Sequence, residues 1–526
     1  MPAKPSAPSA ADTANDQPSN TDATMIQAKA PATKASRAPL RDQLIACLLS
    51  LALVAGPGYV GADALDLPDF GSPADGALSP SEQRELGREF MKWVRQSLDI
   101  STDPLITDYV QTLGHRLVNA SRESRGQYDF FVVEDPRINA FAGPAGNIGV
   151  NSGLILAAET ESELAAVLAH EIAHVSQHHL LRAIAAQKQM TIPAIALLLA
   201  AAALGAAVDG QAGAAAIMGI QGAVAQQQIN FTRANEEEAD RIGIDTLARS
   251  GHDPYAMPGF FKKLTQANRV YESGAPELLR THPVTTDRIA DALARAERFG
   301  SSQKPDDLRF HLTRAHLRQL SYNRADQAVD EFQDTLRKGR YRNETAEHYG
   351  YALALARAGR LSDAEAQLAP LLERYPSQVE FVVLESQLDR RSGDAAKAVR
   401  DLKGAAGLNP GSWPLQQAYA EALLDAGKPA EALTTLERLV TRRPDLTPVY
   451  ELMADAAGKA GDNASAMRWR AESLYRTGDL EAAIRQLELA LRQPGVPFHL
   501  ASKIQVRLDE LQAEDRSSKH KASRTR

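Results

Sequence analysis

The 526-residue chain has one cysteine, Cys47, which excludes an internal disulfide framework and any cysteine-based zinc knuckle. Metal ligands, if the chain has them, must therefore come from histidine, aspartate and glutamate. Charge of one sign is also scarce: the net −7 is spread without a basic face or a large acidic block, so no nucleic-acid partner is expected. Long hydrophobic runs are missing as well. The run Ile192 to Val208 has 17 residues, mostly alanine and leucine, with Pro193 and Gly205 inside it, and the Ala/Gly-rich run that follows to Val224 is broken by Gln221 and Gly222. Neither reaches the roughly 20 apolar residues of a spanning helix. Residues 192–224 are expected to form a helical hairpin beside the functional cleft, covering substrate or making peripheral membrane contact.

With 44% hydrophobic residues, the chain is long enough for two or three domains, each with its own core. Residues 1–40 are rich in Ala, Pro, Ser and Thr without apolar periodicity and read as a disordered leader in which Met25 is an alternative start. Arg37 and Arg41 then precede the apolar run Leu44 to Ala55 and the small residues Val60 to Ala64, the pattern of a secretory signal with cleavage near Asp63 or Leu65. Leu44-Ile45-Ala46-Cys47 has the letters of a lipoprotein box, but the apolar region follows the cysteine instead of preceding it.

Ser79-Pro80-Ser81-Glu82 predicts a helix start, with Leu86, Phe90, Trp93 and Val94 at helical spacing. A second helix is predicted from Asp103-Pro104, with Leu105, Tyr109, Val110, Leu113 and Leu117 as a core face. Tyr128 to Val133 and Asn147 to Asn151 read as strands of a small hairpin, separated by the turn-rich Asn139 to Gly146. In the second strand, Asn147, Ile148, Gly149 and Val150 are candidates for pairing with an extended substrate; a strand that only closes the sheet is the competing reading.

The strongest chemical signal is His170-Glu171-Ile172-Ala173-His174, on a helix predicted from Glu161 to Ala186. Histidines four apart share one helix face and can grip one metal ion, while a glutamate between them can take a proton from the attacking water without being a ligand. His178 continues the spacing, but three ligands on one straight helix would not close a tetrahedron, so it is placed behind the ligands or on the surface. The third ligand cannot follow the metzincin pattern, because Gln177 and Leu180 stand where a glycine and a histidine are required. A downstream carboxylate is the remaining common solution. Glu236, 62 residues after His174, lies one helical turn before Asp240, so Glu236 can ligate while Asp240 supports catalysis by holding a ligand histidine.

His170-Glu171-x-x-His174 followed by Glu236-x-x-Ala239-Asp240-x-x-Gly243 resembles the gluzincin family that holds the CAAX prenyl proteases, HtpX and the BepA-like periplasmic proteases. Asn139-Ala-Phe-Ala, Gly149 to Leu154, His282-Pro283 and Arg288-Ile289 are similar to that family's flanking segments, so the likeness covers about residues 80 to 300. The resemblance implies one Zn2+ per chain held by His170, His174 and Glu236, with Glu171 as general base. It also implies that His282 can take the metal's fourth position and hold the enzyme at rest, although a histidine before Pro283 also fits a plain helix start.

From about residue 305 the chain repeats. Gly359, Gly393, Gly427 and Gly461 are each 34 apart, as are Pro376, Pro410 and Pro444, which is the tetratricopeptide period. Residues 306–340 look like a degenerate first unit, and Gly478 with Ala482 to Ile484 points to a further one. Such solenoids bind peptides or partner proteins. The expected architecture is mainly α: residues 1–64 a leader and signal peptide, 65–304 an α+β zincin-type metalloprotease domain with a small β-hairpin or sheet, 305–515 an all-α tetratricopeptide solenoid, and 516–526 a basic disordered tail. Protease followed by repeats resembles the BepA-like branch. That likeness implies a periplasmic, outer-membrane-associated endopeptidase acting on unfolded or stalled polypeptides, with β-barrel outer-membrane proteins and the β-barrel assembly machinery as partners. The rival reading is an assembly chaperone working through its repeats with little proteolysis.

Overall fold

The computed structural model describes residues 78–124, 126–185, 222–270, 276–302 and 304–524. The expected leader and signal, and all of the 192–224 hairpin before Gly222, lie outside the described residues.

Both predicted helix starts are capped as their residues dictate. Helix α1 (Pro80–Ser97) opens with a reciprocal capping box in which the Ser79 amide donates to Glu82 and the Glu82 amide donates to Ser79 Oγ. Asp103 accepts from the amides of Leu105 and Ile106 at the head of α2 (Pro104–Ala120), and Pro104 occupies the first turn, where its missing N–H costs nothing.

Strands β1 (Asp129–Val133), β2 (Ala140–Ala142) and β3 (Asn147–Asn151) form one sheet in the order β1-β3-β2. The two strands expected to form a hairpin instead pair in parallel, Asp129 opposite Asn147 through Val133 opposite Asn151. The antiparallel partner of β3 is β2, drawn from the connection read as turn-rich. Because β3 is central and paired on both sides over Ile148, Gly149 and Val150, its amides and carbonyls are already used, which removes Asn147 to Val150 as a substrate-pairing edge. Alternation decides the two faces of the sheet. Phe130, Val132, Ile148 and Val150 join the main core, whereas Phe131 and Val133 pack on Leu86, Phe90, Met91 and Val94 of α1.

Helices α3 (Ser152–Ala157), α4 (Glu161–Ser176), α5 (His179–Ala185), α6 (Gly222–Ser250), α7 (Ala256–Val270), α8 (Glu277–Thr281) and α9 (Thr286–Glu297) follow. The helix expected to run unbroken to Ala186 stops at Ser176, and His178 takes a left-handed φ of 54° before α5 begins. A non-glycine residue in that region stores of order 1 kcal/mol, and no glycine or proline marks the break in the sequence.

The second half is a run of antiparallel helix pairs: α10 (Leu308–Leu320) with α11 (Ala325–Lys338), α12 (Glu344–Arg357) with α13 (Leu361–Arg374), α14 (Val379–Arg391) with α15 (Ala395–Leu408), α16 (Trp413–Asp425) with α17 (Pro429–Arg442), α18 (Thr447–Lys459) with α19 (Asn463–Arg476), and α20 (Leu480–Leu491) with α21 (Phe498–Arg524). The four phased glycines lie between paired helices with φ from 72° to 90°, the left-handed turn that only glycine adopts without strain. The tail expected to be disordered from residue 516 is helical to Arg524: α21 has no glycine or proline, and Leu500, Ile504, Leu508 and Leu511 anchor it to α20.

The repeats close onto α2. Leu105 packs among Val383, Leu402 and Leu415, and Arg309 bridges Asp108 Oδ2 of α2 at 2.7 Å and Glu380 Oε1 of α14 at 2.9 Å. Arg443 reaches Gln111 Oε1 at 2.7 Å, and Arg95 of α1 donates to the carbonyl of Arg476 at 2.7 Å.

Candidate metal centre

Helix α4 carries the histidines because Leu164, Ala165, Leu168 and Ile172 bury one side of it while His170 and His174, one turn apart, stand toward Glu236 of α6. Ala173, Ala239 and Ile242 pack between the two helices, and a side chain at Gly243 would meet the His170 backbone nitrogen at 3.3 Å and Met257 Cε at 2.8 Å. This close approach sets Glu236 and Asp240 over the histidine face. His282 arrives separately, as the residue that ends α8.

Four side chains offer atoms that all lie within 4.8 Å of one another: His170, His174, Glu236 and His282. His170 Nε2 is 3.0 Å from His174 Nε2, 3.3 Å from His282 Nδ1 and 3.3 Å from Glu236 Oε2. Glu236 Oε1 is 3.0 Å from His282 Nδ1 and 3.5 Å from His174 Nε2. Donors about 2.0–2.1 Å from a common tetrahedral centre stand about 3.3–3.4 Å apart, so this set of nitrogen and oxygen atoms fits a metal of zinc's ligand preferences. Glu171 is buried beside them, with Oε1 at 3.4 Å from His282 Nε2.

Around the donors stands a second layer. Asp240 Oδ1 is 3.0 Å from His170 Nδ1. Arg288, buried and unassigned by the sequence, grips Asp240 with Nε at 2.8 Å and Nη2 at 2.9 Å, and its Nη1 reaches both Glu236 Oε2 at 3.0 Å and the Pro283 carbonyl at 2.7 Å. On the other side the neighbour of His174 is His179, not His178, because the left-handed turn swings the following residue inward. His179 Nδ1 is 2.8 Å from His174 Nδ1, His179 Nε2 is 3.0 Å from Glu238 Oε2, and Arg182 Nη2 holds the same carboxylate oxygen at 2.9 Å. Of the run Glu236 to Glu238, the first is buried, the second exposed and the third half-buried, so the run is no uniform solvated face.

The charges follow from these contacts. Burial opposes a charge on His170, but the bonds to Asp240 and Glu236 outweigh it and hold its pKa at about 10. Burial and the neighbouring histidine charges push His174 well below its ordinary value. Burial opposes ionisation of Glu236, yet the charges and bonds of His282 and His170 carry its pKa far down. Glu238 falls to about 2, first through the His179 bond and then through Arg182. The buried carboxylates of Glu236 and Asp240 thus draw positive charge onto the imidazole between them, the field that a cation site requires.

Residues 104–296 match the pattern of Peptidase family M48, and residues 390–456 match a tetratricopeptide repeat. The β-barrel assembly-enhancing protease of Escherichia coli K12 is 34% identical over 475 residues, which span 90% of this chain and 96% of that one. The chain belongs to peptidase family M48. The same-named protease of Yersinia pestis is 36% identical over 482 residues, spanning 89% of this chain and 97% of that one. The mitochondrial metalloendopeptidase OMA1 of Danio rerio is 29% identical over 206 residues, 38% of this chain and 42% of that one. The M48 chain is therefore a metalloprotease carrying tetratricopeptide repeats, and the cluster on α4, α6 and α8 is its candidate metal site.

Proposed function

We propose that this metalloprotease is a zinc-dependent endopeptidase in which His170, His174 and Glu236 hold one Zn2+ and Glu171 is the general base. The observation that carries the reading is the convergence of these ligand atoms within 4.8 Å of one another, with the buried Glu171 carboxylate alongside. When bound, zinc supplies Lewis acidity toward the scissile carbonyl and makes water nucleophilic near neutral pH. Glu171 takes the proton of the attacking water and passes it to the leaving amine. Asp240 fixes the ring of His170 by accepting from Nδ1, and Arg288 fixes Asp240.

His282 lies between Glu236 and Glu171, within 3.0 Å of one and 3.4 Å of the other, where it holds the site at rest until a substrate or partner displaces it. The substrate strand is received by β2 in place of β3. Asn139 and Gly143 bond to β3, so by the alternation of an antiparallel ladder the amides of Ala140 and Ala142 point to the opposite edge.

The names of the relatives from Escherichia coli and Yersinia pestis support a place in the cell envelope for this chain too. In this reading residues 1–64 export it to the periplasm, residues 65–304 cleave misfolded or stalled polypeptides, and the repeats from about residue 305 engage outer-membrane β-barrel proteins and the β-barrel assembly machinery. A role carried by the repeats alone would leave the buried Glu171 without a task. Glu171→Gln tests the reading: cleavage of an unfolded casein should fall by roughly 10²–10⁴-fold while the metal content stays the same. Unchanged turnover would overturn it.

A further inference from the structure

We propose that His179, anchored by Glu238 and Arg182, is the positioning residue for His174, fixing which of its ring nitrogens is offered to the metal. The inference rests on the metal reading above and concerns the side of the site opposite Asp240.

A metal bound by His174 leaves one arrangement of protons. Nε2 of His174 is turned toward His170 and Glu236, so as a ligand it is the unprotonated nitrogen, and in the neutral ring Nδ1 carries the hydrogen. That hydrogen faces His179 Nδ1 at 2.8 Å, which therefore accepts. The hydrogen of His179 then sits on Nε2, where it donates to Glu238 Oε2 at 3.0 Å. Arg182 donates to the same oxygen at 2.9 Å and holds the carboxylate in place. Each link has one donor and one acceptor, and reversing any one link would leave two hydrogens, or none, between a facing pair.

His179 is buried, and it directly follows the left-handed residue His178 that turns the chain between α4 and α5. The two metal-facing histidines are thus supported differently. His170 leans on a carboxylate directly, whereas His174 leans on a neutral imidazole that passes the carboxylate's pull from a ring's width away.

The test is zinc affinity of the full-length protein, measured by competition with a chromophoric chelator, with far-UV circular dichroism as the check on folding. His179→Leu removes the acceptor, His179→Asn keeps an acceptor oxygen near the Nδ1 position, and Glu238→Gln weakens the anchor while leaving His179 in place. The expected result is a roughly 10–100-fold loss of affinity for His179→Leu, recovery of most of it in His179→Asn, and a smaller loss for Glu238→Gln. A folded His179→Leu that binds zinc within about twofold of wild type would overturn the assignment. Should His179→Leu fail to fold, Glu238→Gln decides: weakened binding supports the relay and unchanged binding overturns it. If the unsubstituted protein binds no zinc, the metal reading itself falls. Normal wild-type affinity with unaffected variants removes only the role given to His179.

Discussion

His282 differs from the other three donors in what carries it. His170, His174 and Glu236 stand on two long helices locked by close packing, whereas His282 ends a five-residue helix and is tied down by its own contacts to Glu236 and Glu171 and by Arg288 holding the next carbonyl. Removing it leaves three donors, the set that a catalytic zinc site uses with one position open. His282→Ala should therefore retain metal and cleave unfolded casein several-fold faster; lost metal or unchanged turnover would contradict the resting role. At this scale the helical spacing of His170 and His174 was legible, and so was the carboxylate pair Glu236 and Asp240. His179 was hidden because the regular period pointed to His178, and the break between α4 and α5 has no local signal. Arg288 was visible only as a letter in a motif; its pull on Asp240 comes from a contact 48 residues apart.

Between elements, two contacts determine whether the site can work. The first is α4 against α6, where Gly243 lets backbones meet. Gly243→Leu should cost roughly 1–3 kcal/mol in chemical denaturation and weaken zinc binding together with it, because it separates Glu236 from the histidines. A stable protein with unaltered zinc affinity would contradict that role. The second is the edge of β2 away from β3, proposed above to receive the substrate. Ala142→Pro removes one N–H from that edge without touching the bonds to β3, so kcat/KM on an unfolded substrate should fall about tenfold at constant metal content, the worth of one backbone hydrogen bond. Unchanged kcat/KM would place the substrate elsewhere. The two longer strands were legible from their alternation, but their parallel pairing was not, since three residues of β2 are too few to show a period and the pairing is set by α1 and α2 covering opposite faces.

Across the whole molecule, the repeats and the protease part meet along α1, α2 and β1. The 34-residue period announced the helix pairs, but not where they dock: Leu105 belongs to the apolar face predicted for α2, and only the fold shows it leaving Tyr109 and Val110 to join the repeats. The junction also carries a titrating group. Burial and the nearby Asp445 raise Asp129 to about 6, against partial relief from Arg95 and Arg443. An acid whose folded pKa exceeds its unfolded value, about 3.9, binds its proton more tightly when folded, so its effect on stability is favourable at low pH and is lost as pH rises from about 4 to about 6. Asp129→Asn should thus stabilise the protein by roughly 1–2 kcal/mol at pH 7.5 and leave it nearly unchanged at pH 4, read as Tm at the two values. An equal shift at both would rule out the titration.

In the proposed centre three imidazoles and one carboxylate converge on zinc, and one of the imidazoles is removable. Zinc-edge X-ray absorption on the purified full-length protein tests it most directly, run beside His282→Ala. The expected spectrum shows a shell of about four nitrogen and oxygen donors near 2.0–2.1 Å, with scattering from three imidazole rings in the unsubstituted protein and two in His282→Ala. A shell of oxygen alone, or an imidazole count that His282→Ala leaves unchanged, would contradict it.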